Sequence, residues 1–168
     1  DAQPKPIRYF SIANFMRNEK PQRGRNREFW QLNVDIFGSK SQSSELEMLQ
    51  MALDIVLAFN PPKYSFILCL NHRQLIEGLM GMISPDPTMK QGIVRLMDKW
   101  QKMSWVDFSS ALKELGVDAS GLETIQSFLS ASSIKELVQS LPELADNEGL
   151  LEIKNVMSDL EALGYGEY

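Results

Sequence analysis

The residues best suited to chemistry in this chain lie between Arg17 and Asp35, in the run MRNEKPQRGRNREFWQLNVD. Arg17, Arg23, Arg25 and Arg27 bring four permanently charged, planar guanidinium groups into one short stretch. Their bidentate geometry suits phosphate oxygens better than the point charge of lysine does. Downstream, Gln31, Asn33 and Asp35 recur at every second residue, so a strand projects them from one face about 6.7 Å apart. An amide and a carboxylate beside an arginine-lined loop can hold a small polar cation next to a polyphosphate. The same pattern also suits a partly buried polar face on an edge hairpin with a solvated basic loop, and spacing alone leaves both readings open.

These side chains need a rigid support, and the flanking pattern supplies one. Tyr9 to Phe15 alternates, with Tyr9, Ser11, Ala13 and Phe15 on one side and Phe10 and Ile12 on the other. Phe29 to Phe37 has the clearest period of two: Trp30, Leu32, Val34 and Ile36 oppose Phe29, Gln31, Asn33, Asp35 and Phe37. Arg17 to Glu28 has almost no apolar residue, contains Pro21 and Gly24, and reads as a long charged loop. Strand, loop and strand in this order predict an antiparallel hairpin. Leu46, Leu49, Leu53 and Val56/Leu57 then predict a helix ended by Asn60-Pro61-Pro62. Tyr64 to Asn71 predicts a largely buried strand, and His72 to Ile83 a helix.

From Ser84 onward the strand signals stop. Helices are predicted over 87–103, 105–115, 121–129, 134–141 and 148–163. Ser104/Asp107 and Ser133/Glu136 have capping-box spacing, and Gly116 and Gly164 stand where helices end. The fold class is therefore α+β, with a boundary at Ser84-Pro85-Asp86-Pro87 between an α+β segment (1–83) and an all-α segment (84–168).

Composition narrows the classes. The chain has 168 residues, 43% of them apolar and 23% charged, as a folded domain requires and a disordered chain does not. The net charge of −5 is uneven. Residues 1–40 carry eight basic and four acidic side chains, and the remainder nine basic and eighteen acidic, so a cationic segment stands on an acidic body. No apolar run is long enough to span a bilayer, so no membrane partner is expected. A single cysteine, Cys69, excludes an internal disulfide, and a single histidine, His72, disfavours histidine-based metal chemistry. No metal-ligand set is expected. Without a secretion signal, a reducing cytoplasm is the expected compartment. The chain opens on Asp1 rather than Met and reads as a piece of something longer.

Remaining features have plain readings. His72 is expected to be a structural or capping residue and Cys69 inert core. Met48, Met51, Met80, Met82, Met97 and Met103 fit helical core faces. Arg95, Lys99 and Lys102 share one face of the helix predicted over 87–103. That face suits RNA phosphates or simple solvation.

The run MRNEKPQRGRNREFWQLNVDIFG resembles motif 2 of class II aminoacyl-tRNA synthetases, specifically the histidyl-tRNA synthetase family. The family form is F-R-x-E-[KR]-P-Q-x-G-R-x-R-[EQ]-F-x-Q followed by an acidic position. RYFSIANF, SSELEMLQMALDIV and LNHRQLI are similar to the same family, so the resemblance covers about residues 4–83. The helical remainder matches the family's insertion domain by position. Asn26 and Trp30 depart from the aromatic and histidine residues common there.

The resemblance implies a class II antiparallel catalytic core joined to a helical insertion domain. It also implies roles: Arg17 as the catalytic residue on the ATP α-phosphate, Glu19 on the adenine amino group, Arg25 on the γ-phosphate and Phe29 stacked on adenine. Gln31 would bind the α-amino group of histidine, and Asp35 its imidazole. ATP, histidine and tRNA-His are the implied substrates, and Arg95, Lys99 and Lys102 possible tRNA contacts. Mg2+ is expected with its ligands mostly outside this chain, and a homodimer is expected of the full-length enzyme. Motif 1 is expected before Asp1, and motif 3 with the carboxylate-binding arginine after Tyr168, so this stretch alone is expected to be inactive. The alternative is a non-catalytic paralogue, such as the regulatory subunit of ATP phosphoribosyltransferase. The intact motif argues for the ligase.

Overall fold

The computed structural model describes residues 4–18 and 20–167, which belong to two compact units, 1–58 and 59–168. In the first unit, β1 (Ile7–Met16) pairs antiparallel with β2 (Glu28–Phe37), each ten residues long. The ladder is unbroken from Ile7 opposite Phe37 to Met16 opposite Glu28. It continues one step further, where the Arg17 N–H donates to the Arg27 carbonyl at 2.8 Å. The stretch expected as a loop is partly ordered as well. Gln22 and Arg25 exchange both backbone hydrogen bonds, at 3.1 and 2.8 Å, around a turn with Arg23 and Gly24 at its tip. Gly24 has φ of +78° while Arg23 is not left-handed, the pattern of a type II turn that favours glycine at its third position.

Helix α1 (Gln42–Leu57) begins at Ser41, whose hydroxyl accepts the Ser43 N–H. It covers the apolar side of the hairpin: Met48 and Met51 line a groove with Phe10, Ile12, Leu32, Val34 and Ile36. The cover is incomplete, for Trp30 at the far end of that face remains 71% exposed. Leu53 is the fully buried apolar residue of this unit among those described.

The second unit is helical: α2 (Arg73–Ile83), α3 (Pro87–Met97), α4 (Trp105–Glu114), α5 (Ala119–Ser130), α6 (Ile134–Ser140) and α7 (Glu148–Ala162), with 3₁₀ turns at Trp100–Lys102 and Pro142–Leu144. Helix α2 packs on both α5 and α7, and Leu75, Leu79, Ile93, Phe108, Leu112 and Ile125 form the core centre. Trp100, Trp105 and Phe108 meet pairwise with ring centroids 5.7–6.2 Å apart. The expected caps hold. Ser104 accepts the Asp107 N–H and donates to the Asp107 carboxylate. Ser133 accepts the Glu136 N–H, but Glu136 reaches back to Ser132, one residue earlier than a capping box requires. Gly116 and Gly164 take the left-handed conformation at φ of +90° and +92°.

Three expectations meet a different structure. The boundary expected at Ser84 to Pro87 lies inside the compact unit 59–168, where Ser84 is buried and Asp86 caps α3. By packing, α2 belongs with the later helices. The stretch 64–71 forms no strand: Tyr64 is left-handed at φ of +60° in a turn, and no β-ladder includes 64–71 among the described residues. Its exposure nevertheless alternates. Leu68 and Leu70 face Ile153, Met157 and Leu160 of α7, whereas Ile67 and Cys69 face outward, so Cys69 is exposed rather than core. Finally, α3 stops at Met97.

His72 has the capping role expected of it. Its Nδ1 accepts the Gln74 N–H at 3.2 Å at the start of α2, and its Nε2 lies 2.8 Å from Glu152 Oε2 on α7. Asn147 caps α7 and donates to the Gln74 carbonyl, so the two helix starts interlock. A Cβ on Gly149 would meet Leu75 N at 2.8 Å and clash with the His72 ring. Gly149→Ala is therefore expected to destabilise the α2–α7 contact by about 1–3 kcal/mol. Gly81→Ala, on the same α2 with nothing within 4 Å of the added carbon, should stabilise by up to about 1 kcal/mol. Amide hydrogen exchange in α2 and α7 reads both changes, and unchanged protection in Gly149→Ala would contradict the close approach.

Candidate active site

The register collects the polar candidates. Tyr9, Ser11, Ala13 and Phe15 of β1 stand opposite Asp35, Asn33, Gln31 and Phe29 of β2. Because side chains alternate, these pairs share the face away from the α1 groove, and Arg17, in step with Phe15, joins them. One sheet face thus carries a cation and two aromatic rings at one end, amides at the middle, and a carboxylate at the other.

At the turn end, the Arg17 guanidinium lies over the Phe29 ring, 4.8 Å from its centroid. Phe15 stacks beside Phe29 at 6.3 Å and an interplanar angle of 23°. The cross-strand ring pair fixes Phe29 as a flat platform, and Arg17 is held at its edge of the hairpin where a phosphate chain can run into the turn. A planar base stacking on Phe29 would share that platform with the cation. Arg23 and Arg25 flank Gly24 at the exposed tip, so the turn carries positive charge at its end. Glu19 lies outside the described residues.

In the middle of the face, Gln31 Nε2 donates to Asn33 Oδ1, and both side chains are partly buried. Small residues stand opposite: Ala13 faces Gln31 and Ser11 faces Asn33, leaving room above the amides. Asp35 is exposed at the far end, opposite Tyr9, whose ring meets Phe37 edge-on at 6.2 Å. Gln31 and Asp35 are four residues apart on β2, about 13 Å along the strand. A ligand reading both must present two polar ends.

The reverse face is tied to α1 at one end, while Phe10, Ile12 and Trp30 on it stay exposed. Arg8 donates twice to Glu47 of α1, at 2.5 and 2.7 Å. These hydrogen bonds, with the opposite charge beside them, hold the Glu47 carboxyl below its ordinary value and raise that of the Arg8 guanidinium. Asn14 similarly binds Glu28 across the strands at 2.8 Å.

Arg17, Phe29, Gln31 and Asp35 are thus brought to one face, and Arg25 to the turn that extends from it. The pairing adds Phe15 and Tyr9 to this face and joins Asn33 to Gln31. Their signal was present in the alternation of 9–15, but only the register shows which residue of β2 each one meets. In the second unit, Arg95, Lys99 and Lys102 are all exposed. They do not share a helix face, because Arg95 belongs to α3, Lys99 follows its end, and Lys102 lies in a 3₁₀ turn. Among the described residues no cluster of three His, Cys, Asp or Glu side chains could hold a metal, and no helix is long and apolar enough to cross a membrane.

A family model described as Histidyl-tRNA synthetase matches residues 1–165. A histidine–tRNA ligase of Leptospira biflexa serovar Patoc is 37% identical over 166 residues, covering 98% of this chain and 37% of its own length. That of Pyrococcus furiosus is 34% identical over 161 residues, covering 95% of this chain and 36% of its own. The crystal structure of histidyl-tRNA synthetase from Nostoc sp. PCC 7120 superposes with a TM-score of 0.80 at 19% identity, over 98% of this chain and 39% of that one, a likeness of fold. The chain therefore spans a little over a third of the length of the relatives it matches. Since the family match runs over nearly every residue, this chain belongs to the histidyl-tRNA synthetase family.

Proposed function

We propose that the protein containing this segment is a histidine–tRNA ligase, and that the hairpin face bearing Arg17, Phe29, Gln31 and Asp35 is the part of its active site that holds ATP and histidine. The supporting observation is that register: one face carries all four residues while the other packs on α1. In the first step the histidine carboxylate attacks the ATP α-phosphorus. A new oxygen–phosphorus bond forms, the bond to the β-phosphate bridge breaks, and pyrophosphate leaves. Transfer to tRNA-His then exchanges AMP for a ribose hydroxyl.

Each side chain has a task that its chemistry fits. Arg17 neutralises charge at the α-phosphate, Arg25 draws the γ-phosphate into the turn, and Phe29 supports the adenine, with Glu19 accepting from its amino group. Gln31 accepts from the α-ammonium, and Asp35 pairs with the imidazole. An acid at this place favours a ring that donates or is protonated: apolar side chains cannot donate to it, and neutral amides donate without carrying charge. Catalysis on this face is positioning and charge stabilisation. Mg2+ is proposed to accompany ATP, with its ligands mostly outside this segment, since no cluster of three His, Cys, Asp or Glu side chains lies among the described residues. Arg95, Lys99 and Lys102 are proposed as separate phosphate contacts for tRNA in the helical insertion domain (84–168). A homodimer and a cytoplasmic site of action follow from the family reading as proposals.

Histidine-dependent exchange of pyrophosphate into ATP by the full-length protein tests the function. A folded protein without exchange would contradict it. Arg17→Ala should lower the exchange rate by about a hundred- to a thousandfold, as loss of a preorganised donor at a developing charge does. Its exposed position means the hairpin should survive, and an unchanged rate would leave Arg17 as a solvated loop residue.

Asp35→Asn keeps shape but exchanges a charged acceptor for a neutral amide. Histidine recognition should weaken roughly ten- to a hundredfold, since hydrogen bonds to charged groups contribute about 1.5–3 kcal/mol. ATP binding should change little, and separate titrations of the two ligands read the difference. Equal losses for both would mean that Asp35 merely supports the hairpin.

A further inference from the structure

We propose that Asn33 is a positioning residue for amino-acid recognition, fixing which end of the Gln31 side-chain amide faces the ligand. The inference rests on the reading of Gln31 as acceptor for the α-ammonium. Gln31 and Asn33 are alternate residues of β2, so their side chains rise from the same face. Gln31 Nε2 donates to Asn33 Oδ1. An amide has one donor end and one acceptor end. With the NH2 group committed to Asn33, the carbonyl Oε1 of Gln31 is the end left to accept from a ligand.

An ammonium group only donates, so it is bound by this orientation and repelled by the flipped one. The flipped arrangement is available to the pair in principle, with Asn33 Nδ2 donating to Gln31 Oε1. That arrangement would use the one good acceptor and turn an N–H edge toward the cation. Asn33 therefore acts without touching the substrate: it holds the Gln31 amide the right way round. Ala13 and Ser11 on the facing strand are small, so little on that strand stands between a ligand and the remaining oxygen.

The discriminating substitutions differ in hydrogen bonding and little in size. Asn33→Asp keeps the acceptor and removes the competing donor, so it enforces the productive orientation. Asn33→Leu keeps similar bulk but offers neither. In the full-length protein, KM values for histidine and ATP in pyrophosphate exchange are measured for both variants, alone and with Gln31→Ala. Asn33→Leu should raise the histidine KM roughly three- to tenfold, the range of one neutral hydrogen bond, with the ATP KM unchanged. Asn33→Asp should stay within about twofold of the parent or improve on it. In the Gln31→Ala background neither change at position 33 should matter further. Asn33→Ala repeats the test if leucine disturbs the strand, which parallel loss of ATP binding would reveal.

The proposal is overturned if Asn33→Asp weakens histidine as much as Asn33→Leu does, or if Asn33→Leu still acts once Gln31 is removed. Failure of the underlying reading looks different. Gln31→Ala alone would then leave the histidine KM unchanged, and the positioning role would fall with it.

Discussion

The antiparallel pairing that runs from Ile7 and Phe37 to Met16 and Glu28 decides which side chains can meet a ligand together. Side chains alternate along a strand, so a slip of one residue would move Gln31, Asn33 and Asp35 to the α1 side and bring Leu32, Val34 and Ile36 to the open face. Two features pin the register. On one side, the bidentate Arg8–Glu47 contact and the Met48/Met51 groove tie the apolar residues to α1. At the turn, the Gln22–Arg25 pair and the left-handed Gly24 close the connection at a fixed length. The ring pair Phe15–Phe29 and the cation over it then follow from the ladder.

Much of this was legible in the sequence because it depends on local periodicity and on residue types with narrow uses. The alternation at 29–37 specified both faces of β2, and the motif around Arg17 to Asp35 pointed to the family. Helix starts were readable where a serine or histidine side chain caps its own neighbours, as Ser104, Ser133 and His72 do. What escaped were properties set by partners distant in the chain. The opposition of Phe15 to Phe29 needs a register, which no single strand encodes. The segment 64–71 has the residue preferences of a strand, but a strand is completed by a neighbour's hydrogen bonds, and none lies beside it among the described residues. For the same reason Cys69 is exposed rather than within a sheet.

The break after Met97 illustrates a third kind of miss. The apolar spacing of Ile93, Leu96, Met97 and Trp100 suits one continuous helix. Instead, Trp100 begins a 3₁₀ turn and meets Trp105 and Phe108 in a ring cluster. The two indoles are half-buried around the fully buried Phe108. The three basic residues consequently do not share one helix.

The central claim is that one face of the hairpin receives both substrates while the other is structural. A crystal structure of the full-length protein with histidine and a non-hydrolysable ATP analogue measures this most directly. The account predicts the adenine on Phe29, the α-phosphate beside Arg17, and the histidine lying along β2 from Gln31 toward Asp35. Ligands seated in the groove of Leu32, Val34 and Met48, or remote from β2 altogether, would contradict it.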